Sequence, residues 1–68
     1  MMYLDINKLQ IKMAETGVSK KKLKEQLNWY TSDIKAVFNG SRNVRFSTIG
    51  KIANICHCEV EDIVSFKE

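Results

Sequence analysis

Sixty-eight residues are enough for one domain, 1–68, and no more. A chain this short buries only about 60% of its unfolded surface, which allows one modest core and no deep catalytic cleft. The net charge is +3, and no apolar run approaches the roughly 18 residues that a membrane span requires.

The chain opens on Met-Met-Tyr-Leu-Asp, without a basic or an apolar leader segment, so no signal peptide is expected and the cytosol is the expected compartment. Met2-Tyr3-Leu4, near the start, and Val64-Ser65-Phe66, near the end, are rich in strand formers. They are candidates to pair with each other, within or between chains. Between them the apolar residues recur at helical spacing in short blocks. Ile6, Leu9 and Met13 define a first helix that Asp5 or Asn7 starts and Gly17 stops. Val18 is a plug between blocks. Ser19 caps a second helix with Leu23 and Leu27 on its core face, and Asn28, which tolerates left-handed backbone, follows it.

Ile34, Val37 and Phe38 set the buried face of a third helix, which Asn39-Gly40 ends. A basic loop runs from Ser41 to Arg45. A fourth helix carries Phe46, Ile49, Ile52, Ala53 and Cys56, with Ser47 as the expected cap. Val60, Ile63 and Val64 read as a short fifth helix, with Glu59, Glu61 and Asp62 in its first turn where the helix dipole favours acids. The expected fold class is all-α: a compact bundle of four to five short helices, with short terminal strands as an option. The second and third helices are separated by only Leu27-Asn28-Trp29-Tyr30. So tight a turn forces a steep crossing, the helix-turn-helix arrangement.

The charge is unevenly spread. Ser19 to Arg45 holds seven bases against two acids, while the rest of the chain is net acidic. One basic face points to nucleic acid or an anionic membrane surface. The membrane option is weak because Lys20 to Lys24 lacks a large apolar face to insert.

With these elements in order, the chain resembles the lambda-repressor/Cro-type (XRE-like) helix-turn-helix regulators of phages and bacteria, closest to their short single-domain members. The likeness runs from about Asp5 to Val64. It comprises the helix end at Gly17, Ser19 and Leu23 of the second helix, Asn28 of the turn, and Ile34 and Val37 of the third helix. "AVFNG" with Asn39-Gly40, then Ile52, Ala53 and Cys56, and the closing "CEVEDIV" complete it. No single match is specific; their ungapped order is. Lys24 stands where the family usually has alanine, Tyr30 where it has a Ser/Thr cap, Phe38 where a glutamate is common and Val44 where a proline is common.

The resemblance implies double-stranded DNA as partner, read by the third helix in the major groove. With Ile34 at the centre of the buried face, Ser32, Lys35, Ala36 and Asn39 fall opposite, and Thr31 and Asp33 lie at the edges of the first turn. Base contacts are therefore expected from Thr31, Ser32, Asp33, Lys35 and Ala36. Thr31 and Ser32 match base-contacting positions of the family, Lys35 can reach guanine or a phosphate, and Ala36 can meet a thymine methyl. Asp33 either serves the helix dipole or accepts from cytosine N4. Backbone contacts are expected from Lys20, Lys21, Tyr30, Asn39, Arg42, Asn43 and Arg45. Tyr30 is either a phosphate contact or a substitute cap.

Cys56-His57-Cys58 lacks the spacing and the second pair of a zinc site, so no metal, cofactor or small-molecule ligand is expected. No nucleophile–base pair, phosphate loop or paired carboxylates exist, so no catalytic residue and no enzyme is expected. A single module buries too little surface for tight specific binding, so a homodimer, at least on DNA, is expected. The competing reading is a protein-interaction module, antitoxin-like or an adaptor, which the acid on the third helix favours and the basic flanks disfavour.

Overall fold

A computed structural model describes residues 1–67. The element order is β1 (Met2–Leu4), α1 (Ile6–Thr16), α2 (Lys20–Leu27), α3 (Thr31–Phe38), α4 (Phe46–Ile55), a single 3₁₀ turn (Val60–Asp62) and β2 (Val64–Phe66). The fold is a small all-α domain whose chain ends form a two-stranded antiparallel sheet.

Local chemistry sets the helix limits. The Asp5 carboxylate accepts the Lys8 amide at 3.2 Å and Ser19 Oγ accepts the Lys22 amide at 3.0 Å, each satisfying an otherwise unpaired donor of the first turn. Each helix is followed by a left-handed residue: Gly17, Asn28, Gly40 and His57, with φ of 73°, 56°, 82° and 53°. At each the chain doubles back, so that Val18 donates to the Met13 carbonyl, Trp29 to Lys24, Ser41 to Ala36 and Cys58 to Ala53. This reversal carries Val18 into the core. His57 in this role was not anticipated from its residue type.

Leu9, Leu23, Ile52, Cys56 and Ile63 are fully enclosed, and Met13, Ile49 and Val64 pack among them. Leu27, Trp29 and Phe38 are only half-buried at the margin of this cluster. Ser65 Oγ donates to Asp5 at 2.6 Å and Lys8 Nζ donates to the Val64 carbonyl at 2.9 Å, which ties the sheet to the start of α1. The serine hydroxyl, followed by the Lys8 amide, holds the Asp5 carboxyl below its usual pKa.

Three expectations are corrected. The cap of α4 is Arg45, not Ser47, and the Arg45 carbonyl accepts the Ile49 amide at 2.9 Å. A start at Phe46 leaves Ser47 inside the first turn and exposed. Phe46 is not core: it is 66% exposed, because a first-turn residue extends past the end of the cluster that Ile49 and Ile52 enter. The fifth helix is one 3₁₀ turn. Asp62 accepts the Glu59 amide and Ile63 donates to the Val60 carbonyl, after which Val64 pairs with Leu4 across the sheet. The terminal strands pair within the chain.

Candidate nucleic-acid interface

α2 and α3 flank the turn Asn28-Trp29-Tyr30. Asn28 supplies the left-handed step, and half-buried Trp29 anchors the turn to the core margin. Tyr30 makes no side-chain cap bond and its ring is 79% exposed. Asp33 replaces the missing cap from inside the helix: its Oδ2 accepts the Tyr30 amide at 2.9 Å. Its Oδ1 pairs with Arg42 Nη1. The Tyr30 amide, then Arg42, holds the Asp33 carboxyl below the ordinary carboxylate range. Both oxygens of the acid are thus engaged within the chain.

A carboxyl whose pKa is depressed on folding stabilises the fold above its unfolded pKa and loses that contribution as pH falls through the folded value. Asp33 and Asp5 share this sign. Stability should therefore decline on acidification through pH 3.8 and below, the ordinary value from which both are lowered. Asp33→Asn should shallow that decline, seen in urea midpoints across about pH 2 to 6. An unchanged pH profile would show that the acid carries no folding-linked charge.

Thr31, Ser32, Lys35 and Asn39 are exposed on α3, whereas Ile34 and Val37 are buried on its opposite side. Ala36 is half-buried. The end of α3 is knotted by Ser41: its amide donates to Asn39 Oδ1 at 2.9 Å, and its hydroxyl donates to the Ala36 carbonyl at 3.2 Å. That leaves the Asn39 side-chain amide N–H₂ as a donor.

The backbone-contact candidates bracket α3 at both ends. Lys20, at the start of α2, sets its ammonium 4.7 Å from the centre of the Phe38 ring at the end of α3, a cation–π contact. Arg42, Asn43 and Arg45 gather with Asp33 around a cleft of about 320 Å³ beside the first turn of α3. Thr48 of α4 also lines this cleft; it was not anticipated, and no sequence spacing links it to the loop. Lys21 is exposed on α2 and joins neither group. Lys24 runs its half-buried stem along the α2–α3 junction and donates to Thr31 Oγ1 at 3.3 Å, so it reaches the first turn of α3.

Among the described residues no group of three or more His, Cys, Asp or Glu side chains gathers to hold a metal, and no helix is long and apolar enough to cross a membrane. Burial raises the pKa of the Cys56 and Cys58 thiols. What the arrangement offers is a narrow polar helix face with cationic groups at either end.

The family model of the Cro/C1-type HTH DNA-binding domain matches residues 8–68. No curated protein and no solved structure gives a match.

Proposed function

The chain belongs to the Cro/C1-type helix-turn-helix DNA-binding family, and on that premise we propose that it is a cytoplasmic, repressor-like regulator that inserts α3 into the major groove of a specific DNA site. The observation that carries this reading is the exposed Thr31, Ser32 and Lys35 face of α3, set between Lys20 at one end and Arg42, Asn43 and Arg45 at the other. A helix reads base edges when its flanks are held on the two phosphate ridges.

Thr31 and Ser32 hydrogen-bond base edges, Lys35 reaches guanine or a phosphate, and the Ala36 methyl meets thymine. Lys20, Lys21, Asn39, Arg42, Asn43 and Arg45 clamp the backbone, with Tyr30 beside them on its exposed ring. Asp33 is a positioning residue in this reading. Its carboxylate is occupied by the Tyr30 amide and Arg42, so it holds the helix start and offsets the charge of the arginine. That account removes the feature that favoured a protein-interaction module. A single domain, 1–68, then acts as a pair of copies on a palindrome, since one module buries only about 600–1,000 Å² on DNA.

Selection from random duplex DNA tests the reading. A shared motif should emerge, and Ser32→Ala and Lys35→Ala should alter the preferred bases. Equal binding to every sequence would sink the specific-regulator proposal, and an unaltered motif with Ser32→Ala would show that another face reads.

A further inference from the structure

The terminal sheet has one edge that is partly guarded and one that is open. Met1 and Lys67 exchange backbone hydrogen bonds, each at 2.8 Å, and the Asp5 amide donates to the Ile63 carbonyl at 2.9 Å. With the register Tyr3↔Ser65, alternation makes Met1–Lys67, Tyr3–Ser65 and Asp5–Ile63 the bonded pairs. The N–H and C=O groups of Met2, Leu4, Val64 and Phe66 therefore point away from the partner strand. On the β2 side, Lys8 Nζ occupies the Val64 carbonyl, a lysine guard of the kind that blunts sheet edges, while the Val64 amide and the amide and carbonyl of Phe66 make no bond beyond the sheet among the described residues. On the β1 side no bond outside the sheet reaches the amide or carbonyl of Met2 or Leu4 among the described residues. The strand carries no charged side chain. It borders a cleft of about 590 Å³ whose far wall is Val37, Gly40, Arg42, Asn43 and Val44, and to which β2 contributes nothing. The cleft thus lies on the open side of β1. Three large apolar side chains stand exposed at this sheet: Met1 at 83%, Tyr3 at 42% and Phe66 at 74%.

We propose that the open β1 edge is a self-association surface, which pairs antiparallel with β1 of a second copy. The strand is self-complementary about Tyr3. With that residue on a two-fold axis, the amide and carbonyl of Met2 meet those of Leu4 in the other copy, and the reverse, so every outward group of the strand is satisfied. Any other antiparallel register leaves some of them unpaired. The same register sets Tyr3 against its counterpart in a non-bonded pair, where side chains approach most closely and aromatic pairs are favourable. The choice of a second copy as occupant rests partly on the DNA reading, because two copies on a palindrome sit about 34 Å apart and the domain is 32 Å long. Three-residue strands bury well under the roughly 1,600 Å² of a stable interface. The pair is therefore weak in free solution and strengthened where DNA brings copies side by side.

Cross-linking without DNA tests this. A non-bonded antiparallel pair places Cα atoms about 4.5 Å apart, within disulfide range. In a Cys58→Ser background, Tyr3→Cys should give a covalent dimer under mild oxidation, in yield at least about tenfold above Asn54→Cys, an exposed α4 position that reports random encounter. Adding Met2→Pro should return the yield to that background. Met2 bonds no group of β2, so proline there blocks only the outer edge, and far-ultraviolet circular dichroism checks that the fold survives. A Tyr3→Cys yield equal to Asn54→Cys, or one that Met2→Pro leaves unchanged, overturns the proposal and leaves the edge to an extended segment of another protein. Cross-linking by a chain that selects no DNA motif supports the interface while the DNA reading fails; motif selection by a chain that does not cross-link sinks only the interface.

Discussion

Leu23→Ala is expected to destabilise the domain by about 2–5 kcal/mol, the range for emptying a fully enclosed leucine site. Leu23 is wholly buried in α2, and the principal helix neighbour of α2 is α4, which supplies Ile49 and Ile52 to the same cluster. A chain of this length has about 3–10 kcal/mol in all, so the loss is a large share of its stability. Urea denaturation followed by circular dichroism reads it directly. With a slope of about 1 kcal/mol per molar urea for so small a domain, the midpoint should fall by about 2 M or more. The matched control is Phe46→Ala. Phe46 sits on the helical spacing of the same core face but is 66% exposed, so its removal should shift stability by no more than about 0.5 kcal/mol. If Phe46→Ala cost as much as Leu23→Ala, the placement of the start of α4 would be wrong. Because α2 is the scaffold of α3, partial unfolding in Leu23→Ala should also weaken DNA binding without altering base preference.

The contrast between Leu23 and Phe46 shows what a sequence can yield. Apolar spacing and caps are local chemistry, so Asp5, Gly17, Ser19, Asn28 and Gly40 mark their helix ends in the sequence as they do in the fold. Periodicity cannot tell where a helix axis leaves the core, so Phe46 read as buried. Ser47 is the better cap by residue type, yet Arg45 serves, because a backbone carbonyl suffices once Ile49 must face inward. Val60, Ile63 and Val64 fit a helical face, but Val64 is drawn into a strand by its pairing with Leu4 at the other end of the chain. No local pattern encodes that contact. The same limit applies to the candidate interface. Exposure of Thr31, Ser32 and Lys35 follows from the helical wheel. The Asp33–Arg42 pair, Lys20 over Phe38 and Lys24 on Thr31 join separate elements and appear only in three dimensions.

The Asp33–Arg42 pair governs the second large effect, the response of DNA affinity to salt. If about five phosphates are neutralised, log K should fall against log salt with a slope of roughly −4 to −5, a loss of about 250- to 1,000-fold between 50 and 200 mM. Lys20→Ala should flatten the slope by about one unit and weaken all sites alike. Lys20 is held over the Phe38 ring, which removes no charge, so its full cation is available to a phosphate. Arg42 differs: a carboxylate already faces it, and the pair presents little net charge to DNA. Replacement of that carboxylate by an amide keeps an acceptor for the Tyr30 amide and releases the cation. Asp33→Asn should therefore bind more tightly at low salt and steepen the slope by about one unit. Fluorescence anisotropy of a labelled duplex over a salt series measures all three proteins. An Asp33→Asn slope equal to that of the parent would place Arg42 away from the phosphates. A shallower one would mean that the carboxylate positions the arginine more than it neutralises it.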